Sequence, residues 1–78
     1  MSSPLPGLPA CDPAKIRARR LALGLRQDEV ARRSAYTQGH LSLVEAGRRR
    51  PSADMLAALA TVLDCAVEDF APAASDAE

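Results

Sequence analysis

The chain has 78 residues, 47% of them hydrophobic, and its ten Lys and Arg balance ten Asp and Glu. That size allows one small domain with a core worth only about 3–5 kcal/mol net, so association with a second copy is a useful source of extra stability. No apolar run approaches the length that spans a bilayer, and no secretory segment is visible, so the expectation is a cytoplasmic protein that makes no membrane contact.

Residues 1–11 hold three prolines, a glycine and two serines and show no helical or strand period; they read as a flexible lead-in. Asp12 and Pro13 then open a first helix, the carboxylate as N-cap and the proline at the first position. This helix should run to about Leu23 and stop at Gly24. Its inward side is expected to carry Ile16, Leu21 and Leu23 with Arg20 beside them, leaving Arg17 and Arg19 solvated. A second helix should start near Arg26 or Gln27 and end near Arg33. Asp28 and Glu29 in its first turn and Arg32 and Arg33 in its last both suit the helix dipole. Val30 points inward, and Ala31 is small enough for another helix to approach closely.

Thr37 is a good N-cap for a third helix, Gln38 to Ala46, closed by Gly47, with Leu41 and Val44 inward. Pro51 stops any continuation through Arg48–Arg50. Ser52 caps a fourth helix whose apolar face, Leu56, Leu59, Ala60 and Leu63, follows i, i+3, i+4, i+7. A short fifth helix is expected from about Val67 to Phe70. The segment from 12 to 71 forms the domain, and 72–78 reads as a disordered acidic tail. No strand pattern is present, so the fold class is all-α, five short helices.

Charge is divided along the chain. Ten basic residues lie between Lys15 and Arg50 against three acidic ones, a net +7, and the remainder carries −7. Such a division presents a basic face to a polyanion. The second and third helices, joined by a turn of three or four residues, have the layout of a helix-turn-helix, whose second helix enters the DNA major groove. Tyr36 and Phe70 are the only aromatics, which disfavours single-strand binding by base stacking.

No constellation for catalysis is visible: there is one His, no paired carboxylate site and no phosphate loop, so the chain reads as a non-enzyme without cofactor. Cys11 and Cys65 lack a CxxC or paired-His context, so no metal site is expected. Cys65 reads as a small core group, and Cys11 as the edge of the lead-in.

The stretch GLRQDEVARRSAYTQGHLSLVEAGRRRPSADMLAALATVLDCAVEDF is similar to the phage-repressor and Cro class of helix-turn-helix domains, the xenobiotic-response-element type. The similarity covers about Ile16 to Phe70. It rests on GLxQxxVA at Gly24–Ala31, SxVExG at Ser42–Gly47, RRPS at Arg49–Ser52 and an apolar fourth helix ending in AVEDF, all in order and at matching spacing. It implies a compact lambda-repressor-like domain that binds double-stranded DNA as a transcriptional regulator, a repressor in the leading reading, acting as a homodimer.

The resemblance also implies roles for residues. Gln38 would read a base edge, as a Gln can bond adenine bidentately, with Gly39, His40 and Leu43 at the other outward positions. Arg26, Gln27, Thr37, Arg48, Arg49 and Arg50 would meet phosphates, and Gln27 would also brace Gln38. Arg20 and Glu45 match an ion pair tying the first helix to the third. Met55, Val62, Leu63, Val67 and Phe70 form a stripe wide enough to serve as a dimer contact. Three departures stand out: Ala35 where the turn usually has Gly, Ser34 and Tyr36 where apolar residues are usual, and a readout edge poor in hydrogen-bonding groups. That edge motivates the alternative, a protein-interaction module, antitoxin-like or regulator-binding, on the same fold.

Overall fold

The computed structural model describes residues 11–72. Among these it contains four α-helices, α1 Pro13–Ala22, α2 Gln27–Ser34, α3 Gln38–Glu45 and α4 Ala53–Val62, and no strand. The expected fifth helix, Val67–Phe70, is a single 3₁₀ turn. With four residues it has no room for an i to i−4 ladder; the tighter form serves to swing Phe70 into the core. Most of the expected flexible lead-in and acidic tail lies outside the described residues.

The caps anticipated from sequence are formed. Asp12 Oδ1 accepts from Ala14 N at 3.0 Å, Thr37 Oγ1 from His40 N at 3.1 Å and Ser52 Oγ from Met55 N at 3.1 Å. Each satisfies a backbone donor that the first turn of a helix leaves free. At the other ends, Gly24 and Gly47 take positive φ, 72° and 75°, where a Cβ would crowd the backbone.

All four helices contribute to one core. Ile16 comes from α1, Val30 and Ala31 from α2, Leu41 and Val44 from α3, and Met55, Leu56, Leu59 and Ala60 from α4; Leu63 and Phe70 complete it. Burying each large side chain contributes about 1.5–3 kcal/mol. The expectation for α1 needs correction. Leu21 and Leu23 are 51% and 41% exposed. Leu21 lies well off the Ile16–Arg20 stripe at 100° per residue. Leu23 has the right angle but falls at the C-cap, where the chain has left the helix axis. Leu25, after the turn, packs on the core in its place.

The two ends of the domain are stitched together. Asp12 N donates to Phe70 O at 2.7 Å, and Lys15 Nζ donates to Ala71 O at 2.7 Å. Arg19, expected to be solvated, donates to Leu63 O at 2.9 Å and Asp64 O at 3.0 Å. It thereby satisfies free carbonyls at the C-terminus of α4. Cys11 packs against the core rather than trailing away from it, and Cys11 and Cys65 are both free thiols.

Candidate nucleic-acid interface

The turn between α2 and α3 sets the direction of α3. Ala35 sits at φ 66°, ψ 30°, the left-handed region. Its side chain is exposed, so the Cβ strain is tolerated rather than relieved. Tyr36 N then donates to Ala31 O at 2.9 Å, completing the α2 C-cap. Ser34 is buried, and its hydroxyl donates back to Val30 O at 2.8 Å with Ala31 O at 3.1 Å. The polar atom that departs from the family pattern is thus absorbed by α2 itself.

Arg20 and Glu45 are brought together as the resemblance implied. Arg20 Nε donates to Glu45 Oε2 at 2.8 Å and Arg20 Nη2 to Glu45 Oε1 at 2.9 Å, a bidentate fork. Their side chains are 9% and 2% exposed. The hydrogen bond to Glu45 raises the Arg20 pKa, burial opposes it, and the carboxylate's charge adds to the rise. Arg20 Nη1 also donates to Leu25 O at 2.9 Å, which ties the α1–α2 turn to the same cluster.

Gln27 does not follow the implied pattern in full. Its Nε2 donates to Glu45 Oε1 at 3.0 Å, so its brace runs to the end of α3 and not to Gln38 at its start. The geometry favours Glu45 because a buried carboxylate with spare lone pairs is a stronger acceptor than an exposed amide. Arg26 is exposed, with Nε 3.2 Å from Asp28 Oδ1 and 3.8 Å from Glu29 Oε1. Its backbone N donates to Glu29 Oε1 at 2.9 Å. A surface pair of this kind is weak and leaves the guanidinium available to an anion.

The outward edge of α3 carries Gln38, Gly39 and Leu43, all exposed, with Leu43 at 43%. His40 is half-buried, and its ring stands edge-on to Tyr36, centroids 5.3 Å apart at 82°. Sequence reasoning did not find this pair, although the four-residue spacing across a helix start was there to be read. Beyond α3, Arg48 N donates to Leu43 O at 2.9 Å, and Arg48, Arg49 and Arg50 lie exposed in the loop before α4. Among the described residues no group of three or more His, Cys, Asp or Glu could hold a metal ion, and no helix is long and apolar enough to cross a membrane.

The apolar stripe behaves differently from the expectation. Met55, Leu63 and Phe70 are buried inside the monomer and cannot present a dimer face. Only Val62 and Val67 remain half-buried at the surface. The pattern was wide because α4 is covered on more than one side, by α2 and by the closing turn.

A family model described as helix-turn-helix matches residues 16–70. The chain belongs to this family. Its type is the xenobiotic-response-element one, a class of DNA-binding transcription regulators. Solved structures agree with the helix-turn-helix assignment. The restriction-modification controller protein C.AhdI from Aeromonas hydrophila is 32% identical, with TM-score 0.71, over 73% of this chain and 86% of that one. The clp gene regulator ClgR from Corynebacterium glutamicum is 33% identical, with TM-score 0.70, over 73% and 74%. The P22 c2 repressor, solved in complex with a synthetic operator, is 28% identical, with TM-score 0.68, over 72% and 85%. No curated protein matches the chain.

Proposed function

We propose that this helix-turn-helix protein is a sequence-specific double-stranded DNA-binding regulator, acting as a repressor, that reads the major groove with α3. The observation that carries the reading is the exposed edge Gln38, Gly39 and Leu43, with the half-buried His40 among them, followed in the chain by the exposed run Arg48–Arg50. The operator-bound state of the P22 c2 repressor, similar in fold and 28% identical, supports it. Gln38 bonds a base edge, and Leu43 packs on a thymine methyl. Arg26, Gln27, Thr37 and Arg48–Arg50 hold phosphates and fix the register of α3 in the groove.

The small core supports a two-fold homodimer as part of this reading, with the half-buried Val62 and Val67 as the residues left for its contact. Two copies of α3 would then meet half-sites about 34–36 Å apart. The test is titration of duplex DNA at several salt concentrations. Affinity should fall linearly on logarithmic axes as phosphate contacts lose their counterion-release term. Gln38→Ala should relax preference at one base pair, and Arg49→Ala should weaken all sequences about equally. The exposed Leu43 favours the second reading, a protein-interaction module. That reading predicts no shift of random duplex at micromolar protein and low salt.

A further inference from the structure

We infer that Tyr36 is a positioning residue for His40, and through it a determinant of sequence preference; the inference rests on α3 being the helix that reads DNA. The ring of Tyr36 belongs to neither helix. It stands in the turn, one residue before the N-cap Thr37, with its backbone N fixed on Ala31 O at 2.9 Å and its ring packed against the core. His40 is the third residue of α3, and its backbone N is fixed on Thr37 Oγ1 at 3.1 Å. The two rings meet edge to face, 5.3 Å apart at 82°.

An imidazole on an open helix surface samples several rotamers, and each rotamer points its donor and acceptor at a different base position. Here one side of His40 is occupied by an anchored aromatic ring. Its neighbour Gly39 contributes no side chain that could do the same work. Edge-to-face contact is one of the two arrangements that ring quadrupoles favour and is the one formed here, so Tyr36 selects the rotamers in which its ring and the imidazole stay perpendicular. An aliphatic side chain at this position would offer no such partner. Tyr36 therefore acts on the groove without touching it: it fixes where the His40 nitrogens point.

The experiment is selection of bound duplexes from a random pool by wild type, Tyr36→Phe, Tyr36→Val, His40→Ala and the Tyr36→Val/His40→Ala double variant, with Gln38→Ala as control. His40→Ala should relax preference at one base pair per half-site, and Tyr36→Val should relax the same base pair at least several-fold. Tyr36→Phe should keep the wild-type preference, and the double variant should be no more relaxed than either single one. A Tyr36→Val variant that loses affinity equally for every sequence, or effects that add in the double variant, would overturn the inference. If Gln38→Ala relaxes its own position while His40→Ala relaxes none, the inference falls and the DNA-reading assignment stands. A wild-type protein that selects no sequence ends both. Should Tyr36→Val fail to fold, proton NMR of the wild type decides: cross-peaks between the two rings with one His40 χ1 rotamer are expected, and a rotamer-averaged His40 without them overturns the proposal.

Discussion

Gln27 Nε2 lies 3.0 Å from Glu45 Oε1, so the first residue of α2 is hydrogen-bonded to the last residue of α3. Glu45 is at the same time gripped by Arg20 from α1. One buried carboxylate thus ties together the three helices that determine how α3 is presented. Gln27 uses one of its two amide hydrogens in this contact and keeps the other, the donor that the proposed function assigns to a phosphate.

Removing Glu45 should therefore be severe. Glu45→Ala leaves the Arg20 guanidinium buried without its partner, which costs about 3–5 kcal/mol. That approaches the whole net stability of a core this small, about 3–5 kcal/mol. Urea titration should show the variant largely unfolded at 37 °C. Replacing both partners, Arg20→Met with Glu45→Leu, should restore stability to near wild type, because no unpaired charge remains. The same double variant should bind DNA more weakly, since Gln27 loses its brace.

Ala35 gives a change in the opposite direction. At φ 66° an alanine is strained by about 1 kcal/mol relative to glycine. Ala35→Gly should raise stability by up to about 0.6 kcal/mol, once the greater freedom of the unfolded chain, about 0.4–1 kcal/mol, is subtracted. In a domain of this size the melting temperature should rise by up to about 5 °C. A lower melting temperature would mean that the turn relaxes in solution.

Gly39 separates stability from binding. A Cβ built there meets nothing within 4 Å, and its φ is ordinary, so the fold does not require glycine. Gly39→Ala should stabilise α3 by about 1 kcal/mol from helix propensity alone. If the backbone of α3 lies close to the base edges, the added methyl should lower DNA affinity several-fold. Melting and duplex titration on the same sample read the two effects apart.

The thiols set an alkaline limit. Burial, then the charge of Asp12, raises the Cys11 pKa. Burial, then Asp69, with Asp64 in support and Arg19 opposing, raises that of Cys65. A raised thiol stays protonated longer in the folded chain than in the unfolded one. Its contribution is complete below the unfolded thiol's range and is lost as pH rises through it toward the folded value. Stability should be flat in this respect near neutrality and decline at alkaline pH. Alkylation at pH 8 should be slower for the folded chain than in urea. Equal rates in both states would contradict this.

Helix positions were legible because caps and stops are local: Asp12, Thr37 and Ser52 announce themselves in three or four residues. Leu56, Leu59 and Ala60 of α4 were legible by period. What escaped reading depends on contacts across the chain. The outward fate of Leu23 depends on where α1 ends and on Leu25 taking its place. Arg19 reaches carbonyls 44 and 45 residues away, beyond any local pattern. The Arg20–Glu45 pair was anticipated only through the family resemblance, and its third member, Gln27, was assigned a different partner. Met55, Leu63 and Phe70 looked available because periodicity tells which residues share a face, not how many neighbours cover it.

The most direct test of the central claim is amide NMR of the labelled protein during titration with duplex DNA at low salt. The account predicts perturbations concentrated at Gln38–Leu43, at the start of α2 and at Arg48–Arg50, with α4 and Val67 quiet or changing together as a dimer contact. An unperturbed α3, with shifts confined to other surfaces or absent at micromolar duplex, would contradict it.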